Sequence, residues 1–338
     1  MSNINLASCI KEKALEIGYD LCGITSVDQI EEYTSHLDER IRNFPESREL
    51  YESLYPLAFP QKKYEWAKSI IVCVRRYGNY NIPKELEGYI GKAYLVDGRL
   101  KYSKEYSWNL DFEAYLSELG LKNAYANVPA RLAAAKAGLG RIGKNNFFYT
   151  KEHGSWVFIE TWVTDAELAY DEPARSLNCP EGCNKCIDSC PTGALDKSLS
   201  MNRGKCIAQL TNGLNSQTEE LRKDMGTWVY GCDICQNVCP KNKNTWEEKE
   251  DFVDLSDVKP YLSLESIWKM DERTFLDFIQ PRFWYIGQDG LWIWKCNALR
   301  AMANSGNPKY HSYIKEALEN PDPNICKTAL WACQQLGI

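Results

Sequence analysis

The sequence predicts a mixed α/β fold, followed by a cysteine-rich block and an all-helical tail. Three observations predict it. Apolar runs typical of buried strands alternate with helical periodicity over residues 1–170. Eight of the 14 cysteines crowd between residues 179 and 239, and from about residue 255 the apolar pattern is helical. A chain of 338 residues suits two or three domains. We therefore predict domains at 1–170, 171–245 and 246–338.

Strands and helices alternate in the first part. Residues 69–74 (SIIVCV) form a continuous apolar run typical of a buried strand. Residues 156–163 are aromatic and β-branched and predict another strand. Residues 129–137 predict a helix, with proline in the first turn, alanines inside and Gly138 as the stop. Further expected elements are helices at 11–17 and 110–119 and a strand at 20–24.

The tail predicts short helices at 298–303, 313–318 and 327–335, broken at 306–308 and 321–323. This rhythm is similar to HEAT-like helical pairs. One or two such units and an ordinary helical cap remain open alternatives.

The charge and the apolar pattern exclude some classes of protein. With 40 basic against 46 acidic residues the net charge is −6, whereas phosphate binding calls for a basic surface. No apolar run reaches about 18 residues, and the first residues do not form a secretory signal. We expect a cytoplasmic protein without a membrane span. In that compartment so many cysteines indicate metal binding rather than disulfides.

The cysteine block has the spacing of two 4Fe–4S clusters. Its runs are Cys179-x3-Cys183-x2-Cys186-x3-Cys190-Pro191 and Cys232-x2-Cys235-x3-Cys239-Pro240, with Cys206 between them. In two-cluster bacterial ferredoxins, three closely spaced cysteines hold one cluster, and the fourth, before a proline, ligates the other. This crossing predicts one ligand set of Cys179, Cys183, Cys186 and Cys239, and a second set of Cys190, Cys206, Cys232 and Cys235.

Structural zinc is the alternative, because zinc also binds paired cysteines. Two Cys-Pro endings with crossed spacing favour iron–sulfur clusters. One feature departs from the usual pattern: three residues, not two, separate Cys179 from Cys183. The remaining cysteines lie in apolar contexts that predict small core residues; they are Cys9, Cys22, Cys73, Cys296, Cys326 and Cys333.

Residues 138–143 fit the glycine pattern G-x-G-x-x-G, and Asp165 follows about 20 residues later, as in a dinucleotide site. That fingerprint must follow a strand and open a helix, but here it follows an alanine-rich helix. Two interpretations stay open. The loop is a helix stop with tight glycine turns, or its backbone lies close to a large flat ligand.

Four segments, 11–24, 135–148, 152–165 and 226–243, together with the cysteine block, resemble the epoxyqueuosine reductase family, which is related to the corrinoid reductive dehalogenases. The resemblance implies a nitroreductase-like cobalamin domain, a ferredoxin-like double-cluster domain and a HEAT-like tail. It implies that a low-potential donor such as flavodoxin or ferredoxin feeds the clusters, which reduce cobalamin to Co(I) for reduction of epoxyqueuosine-tRNA. The corrinoid neighbours that it implies are Gly138, Gly140, Gly143, Lys144, Asn145 and Ser155.

The histidine content agrees with a base-off corrinoid. The chain has three histidines and no D-x-H-x-x-G motif, so histidine-on binding of the mutase type is not expected. A cobalt without a strong lower ligand is easier to reduce.

The proton donor departs from the family pattern. The family carries an acid about a dozen residues before the glycine loop, but here no Asp or Glu lies between Glu118 and Lys151. Tyr125 is the nearest proton source, and a phenol of pKa near 10 can donate if a cation such as Lys144 or Arg131 lies close. Alternatively, Tyr125 is one of 20 tyrosines and only packs.

The tail departs as well. Residues 246–338 hold 10 basic and 14 acidic residues, a net charge of −4, which makes tRNA a doubtful partner. Trp284, Trp292 and Trp294 stand where basic residues would be expected, as repeat core or as a substrate pocket. Three functions therefore stay open: a tRNA reductase, a dehalogenase-like reductase of a small organic molecule, and an electron carrier without its own substrate.

Overall fold

The computed structural model describes residues 3–174, 179–213 and 218–338. Its strands are β1 (Leu21–Ser26), β2 (Ser69–Arg76), β3 (Asn123–Tyr125), β4 (Arg141–Ile142), β5 (Phe148–Tyr149) and β6 (Val157–Thr164). Four of them form an antiparallel sheet with the order β1-β2-β6-β3. The strands β4 and β5 pair separately.

Helices cover both faces of the sheet. Those of the first part are α1 (Asn3–Ile17), α2 (Tyr33–Asn43), α3 (Arg48–Glu52), α4 (Lys92–Leu95), α5 (Lys104–Glu118) and α6 (Ala130–Lys136). Val72 and Val74 of β2 pack with α6 on one face, whereas Ile71 and Cys73 pack with α1 and α5 on the other. A strand covered on both faces carries a continuous apolar run rather than an alternating one. The prediction of a buried strand at 69–74 is confirmed.

Two helices begin earlier than their apolar patterns predict. The helix α1 begins at Asn3 rather than at residue 11, and α5 begins at Lys104 rather than at residue 110. In α5 the Ser103 hydroxyl accepts a hydrogen bond from the backbone N–H of Tyr106 at 3.2 Å, which caps the helix there. The predicted strands at 20–24 and 156–163 correspond to β1 and β6.

The cysteine-rich part contains little regular structure. Its helices span four to six residues and are α7 (Lys185–Asp188), α8 (Ile207–Leu210), α9 (Glu219–Asp224) and α10 (Ile234–Asn237). The helices α7 and α10 contact each other, and each carries one cysteine of the block, Cys186 and Cys235.

The tail is helical. It contains α11 (Leu255–Val258), α12 (Leu264–Lys269), α13 (Glu272–Thr274), a π-helical turn (Phe275–Ile279), α14 (Leu291–Asn304), α15 (His311–Glu316) and α16 (Pro323–Leu336). The predicted helix at 298–303 is the second half of α14, which packs against α12 and α16. Across the described ranges, no helix has the length and apolar character needed to cross a membrane.

The tail and the sheet part share one hydrophobic core. It runs from Tyr77 and Trp156 beside the sheet, through Tyr230, to Trp294 of α14. The tryptophans of the tail differ in burial: Trp294 is fully buried, Trp292 is half-buried and Trp284 is 42% exposed. Trp294 therefore belongs to the core.

We expect Trp294→Ala to lower the free energy of unfolding by about 3–5 kcal/mol, because it leaves a cavity in the shared core. Trp284→Ala is the matched control, with an expected loss of about 1 kcal/mol or less. Anaerobic urea titrations of the cluster-loaded protein, followed by far-UV circular dichroism, measure both. Equal losses would contradict this assignment of the core.

Candidate functional site

The first predicted set of cysteines surrounds a single cavity. Cys179, Cys183, Cys186 and Cys239 all line it, although Cys239 lies far along the chain from the other three. Pro180, Pro240, Lys185 and Lys241 also line this cavity. The structure thus brings together the four thiols that the crossed spacing predicts for one cluster.

The second predicted set also converges. Burial raises the pKa of Cys235, and the neighbouring thiols of Cys206, Cys190 and Cys186 raise it further. Burial likewise raises the pKa of Cys232, with contributions from Cys235 and Cys206. These mutual effects require the four thiols to lie near one another. Because Cys186 of the first set also acts on Cys235, the two groups are neighbours.

The glycine loop lies against the protein's own backbone. Gly138 has φ +75°, a left-handed conformation, and a Cβ there would lie 2.5 Å from the carbonyl oxygen of Glu172. A Cβ on Gly140 would lie 2.2 Å from the carbonyl oxygen of Tyr149. The loop follows α6 and leads into β4. It does not open a helix after a strand, so the dinucleotide alternative is wrong.

The polar residues after the glycines bind the cysteine loops. The Lys144 N–H points at Cys179 Sγ at 3.5 Å, and Lys144 Nζ donates to the carbonyl oxygen of Cys183 at 2.8 Å. Asn145 Nδ2 donates to the carbonyl oxygen of Cys235 at 3.1 Å. Gly143 lies in the same stretch and lines the first cavity. The loop therefore joins both groups of cysteines to the sheet.

Ser155 makes a second, buried junction just before β6. Its hydroxyl accepts hydrogen bonds from Gln236 Nε2 at 2.9 Å and from Asn242 Nδ2 at 2.8 Å, and its N–H donates to Asn242 Oδ1 at 2.8 Å. All three side chains are buried. The cysteine part is thus held against the start of β6.

Aromatic and cationic side chains lie near the second group of cysteines. The ring centroids of Tyr94 and Tyr285 are 6.2 Å apart. Burial raises the pKa of Tyr94, which Tyr285, the Cys206 thiol and the guanidinium of Arg99 also influence. Arg131 of α6 is exposed, and Tyr94 and Tyr285 act on its guanidinium. We call the surface that carries Tyr94, Tyr285, Arg99 and Arg131 the cleft.

Tyr125 lies at the end of β3, half-exposed, with its ring 5.4 Å from that of Trp162. Its hydroxyl donates a hydrogen bond to Glu160 Oε2. Glu160 is buried, and its Oε1 lies 3.4 Å from Nη2 of the buried Arg75. Desolvation and the charge of Glu160 raise the pKa of Tyr125, whereas Arg99 and Arg75 act to lower it.

The sequence reasoning missed Glu160, because the family's acid is expected before the glycine loop and Glu160 follows it. A signal was present in the sequence. A single acid inside the aromatic strand WVFIETWV must be partnered or lose its charge, because an unpaired buried carboxylate is costly.

The family comparison favours iron–sulfur clusters over structural zinc. Residues 178–242 match the family described as the 4Fe-4S double cluster binding domain.

Relatives cover most of the chain. An epoxyqueuosine reductase of Leadbetterella byssophila is 33% identical, with 69% of this chain and 78% of the relative aligned. One of Bacillus cereus is 31% identical over 95% of this chain and 86% of the relative. A solved epoxyqueuosine reductase, bound to an epoxyqueuosine-modified tRNA-Tyr stem loop, superposes with a TM-score of 0.79 at 25% identity, covering 99% of this chain and 91% of that one. This chain belongs to the epoxyqueuosine reductase family.

Proposed function

We propose that this chain is an iron–sulfur oxidoreductase that reduces epoxyqueuosine in tRNA, with two 4Fe–4S clusters that supply electrons to the cleft. The observation that carries this proposal is the convergence of eight cysteines into two adjacent groups, one of which adjoins the cleft. A relative of the same fold binds the modified stem loop.

The ligand sets are those of the crossed spacing. Cys179, Cys183, Cys186 and Cys239 hold the first cluster, and Cys190, Cys206, Cys232 and Cys235 hold the second. Thiolates are the ligands that iron–sulfur clusters require. Backbone and side-chain donors of Lys144 and Asn145 fix the loops that carry these thiols.

The cleft is the proposed site of a cobalamin. It carries aromatic rings (Tyr94, Tyr285) and cations (Arg131, Arg99), and it lies near the thiol of Cys206. A bound cobalamin supplies a metal centre that takes up low-potential electrons and passes them to the substrate. The residues that the resemblance predicts to adjoin it are Gly138, Gly140, Gly143, Lys144, Asn145 and Ser155. Of these, Lys144, Asn145 and Ser155 form hydrogen bonds with the cysteine block.

The finer domain assignments are part of the same proposal. Residues 1–170 form a nitroreductase-like cobalamin domain, 171–245 the double-cluster domain, and 246–338 a HEAT-like tail. The packed helix pairs α14–α16 and α12–α14 support the assignment of the tail.

Electrons enter at the first cluster and leave from the second. The second group adjoins the cleft through Cys206, whereas Lys185 and Lys241 line the cavity of the first group. A basic surface beside this cluster suits an acidic carrier such as flavodoxin or ferredoxin, because opposite charges steer the encounter.

Tyr125 is the proton donor in this proposal. It is half-exposed, and the charge of Arg99, a residue of the cleft, acts on its phenol. An aromatic surface on which a base of the substrate would stack lies beside Arg99. Trp284 and Tyr285 stack at 3.9 Å between ring centroids, and Arg99 lies 4.7 Å above Trp284.

The test is anaerobic reconstitution with iron, sulfide and hydroxocobalamin, followed by turnover of an epoxyqueuosine-modified stem loop. We expect about eight irons and one cobalt per chain, a base-off spectrum, and stem-loop binding that weakens as salt rises. The acidic tail and the absence of an acid at 119–150 favour a small-molecule reductase as second candidate. It would hold cobalt but would not bind RNA, whereas eight irons without cobalt would indicate an electron carrier.

If the ligation is crossed, replacing either of two cysteines that lie far apart in the sequence should remove the same cluster. Cys179→Ser and Cys239→Ser should remove one cluster, and Cys190→Ser and Cys206→Ser should remove the other, each leaving about half of the iron. Iron analysis and electron paramagnetic resonance of the reduced variants measure this. Cys326→Ser is the control and should retain all iron, because Cys326 lies in the tail. Spectra in which Cys179→Ser matches Cys190→Ser would contradict the crossing.

The basic surface predicts a charge effect on electron uptake. Lys185→Glu and Lys241→Glu should raise the KM for an acidic flavodoxin several-fold, with no change in turnover driven by a chemical reductant. Lys315→Glu, an exposed change of the same kind on α15, should alter neither rate. Stopped-flow reduction at two ionic strengths measures the effect, because salt screens the electrostatic attraction between the flavodoxin and the basic surface. An unchanged KM in both Lys185→Glu and Lys241→Glu would show that the electron donor binds elsewhere.

A further inference from the structure

We propose that Glu160 and Tyr125 form a two-residue proton-delivery unit, in which Tyr125 donates the proton and Glu160 is a positioning residue that acts through it. This unit takes over the task of the acid that residues 119–150 lack. The inference rests on the proposed reductase function.

The pairing of two strands builds the unit. The short strand β3 pairs with the end of β6, so that Tyr125 lies opposite Trp162 and packs on its ring. Glu160 lies two residues earlier in β6, on the same face of the sheet as Trp162. From there its carboxylate accepts the phenol hydrogen of Tyr125.

Glu160 acts through Tyr125, not on the substrate. It is 3% exposed, and each of its oxygens has a partner: Oε1 faces Arg75 and Oε2 accepts from Tyr125. Tyr125 is 45% exposed. Of the two residues, only Tyr125 reaches the protein surface.

The charges around Tyr125 come from four elements. Glu160 of β6 and Arg75 of β2 lie on one side, Arg99 of the loop after α4 on another, and Tyr19, just before β1, feels both Tyr125 and Glu160. Desolvation and Glu160 together keep the pKa of Tyr125 above its usual value. The phenol therefore stays protonated through the neutral range.

A weak acid suits this reaction. Reduction of an epoxide takes up two electrons and two protons, and the breaking of a C–O bond places an electron pair on oxygen. The Tyr125 O–H bond breaks, its proton goes to that alkoxide, and the phenolate, near Arg75 and Arg99, recovers a proton from water. The second C–O bond then breaks, a carbon–carbon double bond forms, and the oxygen leaves as water after taking a second proton from solvent. The low-potential donor supplies both electrons through the clusters. A raised pKa brings the phenol close to the basicity of the alkoxide, which favours transfer to that acceptor.

The chain contains a matched control. Tyr80 donates a hydrogen bond to Glu105, and Tyr80 also feels the charge of Arg75. Tyr80 is 3% exposed and Glu105 is 2% exposed. This pair has the same chemistry as the proposed unit but no access to a substrate.

The experiment compares Glu160→Gln, Tyr125→Phe, their combination and Glu105→Gln, each loaded with clusters and cobalamin, on the modified stem loop. Tyr125→Phe should lower kcat by about 10²–10⁴-fold with little change in KM. In Glu160→Gln the loss of negative charge should lower the pKa of Tyr125, so that kcat falls as the pH approaches about 10, where the wild-type profile stays flat. The double variant should be no slower than Tyr125→Phe.

A second readout does not need turnover. The ¹³Cζ resonance of Tyr125, assigned by its loss in Tyr125→Phe, should titrate at lower pH in Glu160→Gln and stay unchanged in Glu105→Gln. Glu160→Asp keeps the negative charge but moves it away from the phenol. This variant is used in place of Glu160→Gln if Glu160→Gln loses iron.

The outcomes separate the two proposals. A wild type that does not reduce the stem loop overturns the proposed function, and the resonance then decides whether the pair exists. A wild type that turns over, with Glu160→Gln unchanged in pH profile and in resonance, overturns the unit alone. An equal shift in Glu105→Gln also overturns it, because the effect would then be a general one of charge.

Discussion

The hydrogen bonds of Ser155 hold the two halves of the site together. Gln236 and Asn242 both donate to its hydroxyl, and all three side chains are buried. Buried polar groups that lose a partner are costly, so these residues keep one arrangement. Ser155 lies just before β6, and Glu160 lies within that strand. The strand that follows this junction with the cysteine loops therefore also carries the hydrogen-bond partner of the Tyr125 phenol.

The glycine loop contributes to the same frame. Its glycines allow close approach to the backbone of Tyr149 and Glu172, and its polar residues bind the loops of Cys179, Cys183 and Cys235. The cleft next to it has aromatic and cationic walls within a chain of net charge −6. Local composition, not net charge, determines which ligand such a surface accepts.

Features set by neighbouring residues could be predicted from the sequence. The buried strand at 69–74 and the crossing of the cysteine runs depend on apolar runs and spacing alone. The partnership of Tyr125 with Glu160 could not, because it depends on β3 pairing with β6 across 35 residues. The roles of the tryptophans could not be predicted from the sequence either. Trp284 and Trp294 stand ten residues apart, and only tertiary packing makes one exposed and the other core. The start of α5 depends on the Ser103 cap, which an apolar pattern does not contain.

Crossed ligation has a consequence for biosynthesis. With the proposed ligand sets, the second cluster cannot be completed before Cys235 leaves the ribosome, and the first must wait for Cys239. The partners of Ser155 are made at the same stage, at residues 236 and 242. The thiols from Cys179 onward thus remain without their full set of ligands while about sixty further residues are translated, roughly three to twelve seconds at bacterial rates. During that interval the nascent chain is open to oxidants and to the wrong metal, so delivery of iron and sulfide has to coincide with the end of this block.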